Sequence, residues 1–159
     1  MNSNPGSLDP YVNFKFRIKW DGKYVAGVSK VSPLKRHTQV IEHHDGAEPT
    51  VTRKSPGRTT FDAIILERGI TQDLEFEKWA NKVLSYSNSP NKQLDNFRKD
   101  LSIEMFNEAG QLEIVYKIYR CWVSEYVSSP DYDSNAIAVA VEYIKLENEG
   151  WERQLLKKK

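Results

Sequence analysis

Hydrophobic and polar residues alternate without a break from Val12 to Trp20. Val12, Phe14, Phe16, Ile18 and Trp20 fall on one side of an extended chain. Asn13, Lys15, Arg17 and Lys19 fall on the other. Successive side chains of a strand point to opposite faces, whereas a helix would scatter these residues around its circumference. The pattern therefore predicts a β-strand with one apolar face and one basic face. Asp21-Gly22 predicts a hairpin turn into a return strand that runs to Val31 and is stopped by Pro33. Gly27, inside that strand, marks a bulge or a close backbone approach.

Further along, Thr59 to Glu67 reads as a strand, with Phe61, Ala63 and Ile65 on one side and Ile64 and Leu66 on the other. Pro56-Gly57 before it reads as a break. Thr71 to Tyr86 is the one stretch with helical spacing. Phe76, Trp79, Ala80 and Val83 form its apolar stripe, Thr71 or Asp73 caps it, and Asp73, Glu75 and Glu77 suit its first turns. Ser85 to Asn91 reads as a loop. Phe97 to Phe106 alternates as a strand through Leu101, Ile103 and Met105, and Asn107 to Gly110 is a turn. Leu112 to Tyr126 is a long strand in which Leu112, Ile114, Tyr116, Ile118 and Trp122 share a face that Arg120 interrupts. A loop at Pro130 to Asn135 leads to a last strand, Ile137 to Leu146. There Ile137, Val139, Val141 and Tyr143 lie on one face, with Ala138 and Ala140 opposite. The chain from Glu152 is expected to fray. These elements add up to a mainly β fold, a β-sandwich or barrel of about seven strands with one packed α-helix.

Arg36 to Lys54 does not fit a self-contained core. Arg36 to His44 and Thr50 to Lys54 are extended in character, and Asp45-Gly46 can turn between them. Neither arm has an apolar face long enough to bury. An isolated polar hairpin is marginal in water. The segment is either a solvated loop or a hairpin that lies against a neighbour, such as another copy of the chain.

Composition narrows the class. A chain of 159 residues suits one domain with a real core, and 39% hydrophobic with 28% charged residues suits a globular protein. The reading divides it into a flexible arm at 1–10, a single domain at 11–153 and a basic tail at 154–159. Lysine and arginine total 23 against 22 acids, so net charge provides no general pull toward nucleic acid or anionic lipid. One cysteine, Cys121, excludes an intrachain disulfide and fits a reducing compartment. No apolar run approaches the roughly 20 residues of a membrane span, and Met1 to Ser7 lacks the regions of a secretory signal.

Candidate chemistry is sparse. His37, His43 and His44 with Glu42 and Asp45 suggest a metal cluster, but His43 and His44 point to opposite faces of a strand, and no second cluster completes a tetrahedral set. Cys121 has no base beside it in sequence and reads as a small buried hydrophobe. No nucleophile elbow, P-loop or dinucleotide fingerprint is present. No catalytic residue, metal or cofactor is expected. Lys15, Arg17 and Lys19 beside Trp20 and Tyr24 form either a solvated strand face or a basic stacking surface for single-stranded nucleic acid.

An ordered series of motifs resembles the tail tube family of contractile phages and phage-tail-like injection systems. It spans Asp9 to Arg153. Asp9-Pro10 leads into the Phe-x-Phe strand, then come Asp21-Gly22 and Val25 to Ser32, Pro56-Gly57, and Leu66-Glu67-Arg68-Gly69 before a helix bearing Trp79. Glu108-Ala109-Gly110 and Trp122 follow, and Asp133 to Glu142 with Glu149 to Arg153 resembles the family's closing strand and ending. Pro33, Asn148 and Val123 depart from the family pattern.

The resemblance implies a structural subunit of an inner tube. Its copies would form hexameric rings stacked head to tail inside a contractile sheath, with baseplate and cap proteins at the ends and cargo protein or DNA in the lumen. The extended hairpin would join a ring-wide barrel. Gln39, Val40, Ile41, Glu42, Val51, Thr52 and Arg53 would pair between subunits. Asp45, Gly46, Glu48 and Pro49 would reach the next ring, and Phe76, Trp79 and Val83 would mark an outer helix. Assembly is expected in the cytoplasm, as part of a phage tail or tail-like particle.

Two alternatives stand beside this reading: a tube-cap or baseplate-junction paralogue, and a monomeric single-stranded nucleic-acid module. The nucleic-acid module predicts binding that weakens with salt and with Lys15→Ala plus Arg17→Ala, read by titration with a labelled oligonucleotide. Binding that is absent, or indifferent to salt, removes it.

Overall fold

The computed structural model describes residues 14–47, 50–88, 97–129, 134–135 and 140–156. In chain order the elements are β1 (Lys15–Trp20), β2 (Lys23–Tyr24), β3 (Val28–Val31), β4 (Arg36–His44), β5 (Thr52–Phe61), β6 (Ile64–Gly69), α1 (Glu75–Asn88), β7 (Lys99–Phe106), β8 (Leu112–Val127), β9 (Val141–Glu147) and β10 (Trp151–Leu155). The fold is mainly β with one helix, as the periodicity requires. Among the described residues the strands number ten: the return strand after Asp21-Gly22 is split in two, Thr59 to Glu67 is shared between β5 and β6, and Trp151–Leu155 adds a strand that was not expected. One antiparallel sheet runs β2-β1-β7-β8-β9-β6-β3, with β10 also on β8, and among the described residues it does not close. β4 and β5 form a separate two-stranded ribbon.

The long strand β8 holds the sheet together. One edge carries β7, and the other carries β10 over Ile114 to Ile118 and then β9 over Trp122 to Val127. The handover occurs at a bulge. Lys99 pairs with Cys121 but Leu101 with Ile118, so three residue steps on β8 face two on β7. Arg120 takes φ 51°, and its N–H donates to Asp100 Oδ1 at 3.0 Å. Arg120 Nε also meets Glu149 Oε2 at 2.7 Å. The extra residue flips the buried face: Ile114 and Ile118 point into the core before it, Cys121 and Val123 after it. Trp122 therefore does not share the face of Ile114 and Ile118, contrary to the simple alternation.

Other boundaries differ for local reasons. Gly27 sits at φ +73° with open space where a Cβ would be, so it turns the chain into β3 by conformation rather than by close approach. Asp62-Ala63 separates β5 from β6. The helix starts at Glu75, whose N–H donates to Asp73 Oδ1 at 2.8 Å, so Asp73 is the cap. It continues through Ser85 to Asn88, where a loop was expected; Ser87 Oγ donates back to Leu84 O at 2.9 Å, within the last turn. In β9 the buried face is Glu142, Ile144 and Leu146, not Val141 and Tyr143. The earlier part of that predicted strand, Ile137 to Val139, lies outside the described residues. Trp151–Leu155 pairs with β8 where fraying was expected.

The core gathers Ile18 and Trp20 from β1, Ile64 and Leu66 from β6, Leu101 and Ile103 from β7, and Ile144 and Leu146 from β9. Phe76 and Trp79, both fully buried, seat the helix on it. Trp20 and Trp79 meet with ring centroids 4.9 Å apart, and Trp79 Nε1 donates to Phe97 O at 2.7 Å. Burying these two indoles and Phe76 is worth several kcal/mol of transfer free energy, about 1.5–3 kcal/mol per large apolar side chain.

Arg68 is buried among these groups with no exposed surface. Its Nε donates to Glu142 Oε1 at 2.7 Å, and its terminal nitrogens donate to Ala26 O at 3.2 Å and Asp73 O at 2.8 Å. The guanidinium lies 4.0 Å from the Phe76 ring centroid. Removing one member of such a buried pair leaves the other charge unpaired, at a cost of about 3–5 kcal/mol. Arg68→Ala is expected to lose that much in urea unfolding at fixed protein concentration. Arg68→Lys should lose stability as well, because one ammonium cannot reproduce the planar fork. A loss below about 1 kcal/mol, the size of a surface pair, would show that the cluster is dispensable.

Candidate functional site: the β4–β5 ribbon

The ribbon is polar because its sequence supplies no apolar face. All nine residues of β4 are exposed, and in β5 only Ser55, Gly57 and Phe61 are partly covered. Cross-strand polar pairs brace it: Thr38 Oγ1 and Thr59 Oγ1 lie 2.7 Å apart, and His43 Nε2 lies 2.9 Å from Ser55 Oγ. At the tip, Asp45 Oδ1 accepts the Ala47 N–H at 3.2 Å across the Asp45-Gly46 turn.

Pro56-Gly57 does not break the chain; it lies inside β5 at a bulge. Thr38 faces Thr59 while Val40 faces Pro56, so β5 carries one extra residue there. A proline lacks the ladder donor and is tolerated at a bulge or an edge. Gly57 packs closely on Ile41, since a Cβ there would sit 3.0 Å from both Ile41 Cδ1 and Cγ1 and that side chain would have to shift.

The root of the ribbon is fastened to the main sheet. Phe61 meets the Trp151 ring edge-on at 6.2 Å, and the Arg36 guanidinium lies over the same indole at 5.9 Å. Asp62 N–H donates to Lys35 O at 2.9 Å, and Asn148 Nδ2 donates to Asp62 O at 3.0 Å. Beyond this root neither strand has another strand beside it among the described residues. Both outer edges of the ribbon thus present unpaired backbone donors and acceptors. Val40 and Val51 remain 58% and 46% exposed on it.

Of the residues expected to pair between subunits, Gln39, Val40, Ile41 and Glu42 lie in β4, and Thr52 and Arg53 in β5. Val51 comes just before the strand. Asp45 and Gly46 form the tip; Glu48 and Pro49 lie outside the described residues. Phe76 and Trp79 are the buried face of α1 and Val83 is partly buried, so these three hold the helix down rather than present it. Sequence reasoning missed the root residues Phe61, Asn148 and Trp151, which come together from separate parts of the chain.

An open antiparallel sheet with one packed helix and a ribbon with two bare edges among the described residues defines a mainly β protein. The family described as T4-like virus tail tube protein gp19 matches residues 12–152, and the chain belongs to that family, which is structural rather than enzymatic. Solved structures share the fold. A chain from the PVC sheath–tube complex of an extracellular contractile injection system, in the extended state, is 23% identical with TM-score 0.74; the match covers 92% of this chain and 93% of that one. A chain from the tube-terminating cap of the anti-feeding prophage is 22% identical with TM-score 0.73, covering 94% of each. A chain from the six-fold symmetrised baseplate of the anti-feeding prophage is 16% identical with TM-score 0.76, covering 96% of this chain and all of that one. Among curated protein sequences none matches.

The other sequence candidates take structural places. Trp20 is 3% exposed, so it is no stacking platform. Arg17 and Lys19 lie over the Tyr24 ring at 5.4 and 5.5 Å. The Tyr24 hydroxyl donates to Glu104 Oε2 at 2.6 Å, a bond that, with desolvation, raises its pKa above the ordinary tyrosine value. Cys121 is fully buried, and desolvation, with Asp100 adding to it, pushes its thiol from 9.0 up to about 12. A raised thiol pKa contributes stability below the unfolded value that is lost as pH climbs through the folded one. Near pH 8.5 the native thiolate fraction should lie roughly a thousandfold below that of the unfolded chain. Iodoacetamide should therefore label Cys121 quickly in urea and only at the unfolding rate in buffer. Fast labelling of the folded protein would place the thiol at an accessible surface.

Proposed function

We propose that this chain is the inner tube subunit of a contractile tail or phage-tail-like injection machine, and that its copies close into hexameric rings stacked head to tail. The observation that carries the reading is the β4–β5 ribbon, whose two outer edges lack strand partners among the described residues. In a closed ring each edge pairs with a neighbouring copy. A head-to-tail contact that closes leaves no bare edge and no open-ended fibre. The polar side chains of the ribbon suit a water-filled lumen through which cargo protein or DNA passes. The Asp45-Gly46 tip, with Glu48 and Pro49, reaches toward the adjacent ring, and the polar side of α1 faces outward toward a sheath.

The named assemblies of the structural neighbours support this reading, since they are a sheath–tube complex, a tube cap and a six-fold symmetrised baseplate. The mechanism is mechanical. Sheath contraction drives a stiff tube through a target envelope, and the tube is built in the cytoplasm before it acts. Stiffness comes from strand pairing between subunits, where each buried backbone bond left unmade costs about 1–3 kcal/mol.

Negative-stain electron microscopy with solution mass is the test. The intact chain should give rings or hollow tubes. Deleting Ile41 to Thr52 should leave a soluble monomer that makes neither. Normal tubes from the deletion would sink the ribbon argument, and single rings that never stack would favour the cap paralogue.

A further inference from the structure

The two sides of the β4–β5 ribbon differ in charge, and its root decides which way each one turns. Residues opposite each other on paired strands share a face, and successive residues alternate. Arg36 faces Phe61, Thr38 faces Thr59, Glu42 faces Lys54 and His44 faces Thr52, so these pairs lie on one side. His37 faces Thr60, Ile41 faces Ser55 and His43 faces Arg53 on the other. At the bulge, Gly57 and Arg58 together stand opposite Gln39. A Cβ on Gly57 would meet Ile41 and Gln39, which puts the bulge on the His37 side. Arg58, next to Thr59, alternates onto that side as well.

The charges separate along the same line. The Arg36 side carries Arg36 and Lys54, with Glu42 directly opposite Lys54. The His37 side carries Arg53 and Arg58 and no acid from either strand. Neither arginine has an ion-pair partner among the described residues. Asp45, just past β4, belongs to the tip turn, where it accepts from the Ala47 N–H. His37 and His43 add to the positive charge only when protonated. The root then fixes the orientation. Arg36 and Phe61 both pack on Trp151 of β10. The main sheet therefore stands on the Arg36 side, and the His37 side looks away from it.

We propose that the His37 side is the wall of the lumen and that Arg53 and Arg58 make that lumen selective for anions. The proposal rests on the ring reading and adds to it the sign of the wall. Subunits whose bodies surround a tube turn the opposite side of their ribbons inward. Repeated from copy to copy, two uncompensated arginines become a positive band, and a channel with low-dielectric walls focuses that field. The wall concentrates anionic solutes and anionic stretches of cargo, and it resists cationic ones. It acts by charge alone, so salt screens it.

The test uses tubes of the full chain bearing Thr60→Cys, a thiol on the His37 side two residues from Arg58. Cys121 is fully buried, so the new thiol gives the readout. The probes are an anionic methanethiosulfonate, the ethylsulfonate, and a cationic one, the ethyltrimethylammonium. At low salt the anionic-to-cationic rate ratio should exceed that of the neutral thiol N-acetylcysteine amide several-fold, and it should converge on that value in molar salt. In the same background Arg58→Gln should lower the ratio and Arg58→Glu should lower it further, with tubes still visible by microscopy. A polymer-linked maleimide too bulky for the bore should leave this thiol unlabelled, yet react with Asn81→Cys on the exposed side of α1. A ratio no higher than the reference, or one that Arg58→Glu leaves unchanged, overturns the selectivity. Labelling of the Thr60→Cys thiol by the bulky reagent overturns the orientation. Micrographs separate these failures from that of the ring: without tubes both readings fall, whereas tubes with no charge preference remove this one alone.

Discussion

The Arg68 guanidinium is the point from which the rest of the packing follows. A fully buried cation survives only where its donors are met, and here they reach four elements of the chain. Glu142 comes from β9, Ala26 from the connection before β3, and Asp73 from the turn that starts the helix, with Phe76 stacked on the cation from α1. Asp73 does two things at once: its carbonyl accepts from Arg68 and its carboxylate caps Glu75. The position of the helix on the sheet, and so the seating of Trp79 against Trp20, depends on that shared residue. The Leu66-Glu67-Arg68-Gly69 step that marks the family resemblance thus has a physical reason, since Leu66 and Arg68 both point inward from β6.

The same cluster explains a failure of the sequence pattern. Alternation places Val141 and Tyr143 inside because they are apolar and Glu142 is charged. The structure reverses this because Glu142 is paid for by Arg68 and by the Tyr126 hydroxyl, which donates at 3.3 Å. A partner 74 positions away in the chain is invisible to a local periodicity. In β8 the pattern fails for another reason. Period two holds from Leu112 to Ile118, but the residue inserted at Arg120 shifts the phase by one and a second irregularity between Val123 and Glu125 shifts it again, so a single face cannot be read along the strand. In the middle of β1 and β7 alternation identified the inward residues Ile18, Trp20, Leu101 and Ile103 correctly, but Phe14 at the start of the apolar face is 44% exposed and Glu104 is buried on the opposite face of β7, where Tyr24 bonds it.

The candidate site was legible in part, and the reason is instructive. The ribbon shows in the sequence as extended residues with no apolar face, a property of each strand alone. Its root does not show, because Phe61, Trp151, Asn148 and Arg36 meet only after folding. Pro56-Gly57 misled for a related reason. A proline and a glycine in succession usually end a strand, but a bulge on a ribbon with open edges tolerates the missing donor, and the glycine leaves room for Ile41.

Bare edges are usually a hazard, because any extended chain can pair with them. This ribbon limits that promiscuity. Its bulge twists the strand and interrupts the ladder, and Pro56 withholds a donor there. Its strands carry Arg36, Arg53, Lys54 and Arg58 against a single acid, Glu42, so two ribbons laid edge to edge in arbitrary register set like charges against each other. Under the ring proposal, pairing needs a register that steps past the bulge, with Glu42 as the one acid of the two strands able to meet a basic neighbour. In that proposal another copy of the same chain, held at a fixed angle by its own root, would present one register from copy to copy. A fixed angle repeated from copy to copy is also the condition for a head-to-tail contact to close on itself. The features that keep the edge from pairing at random are therefore the ones that a closed ring requires.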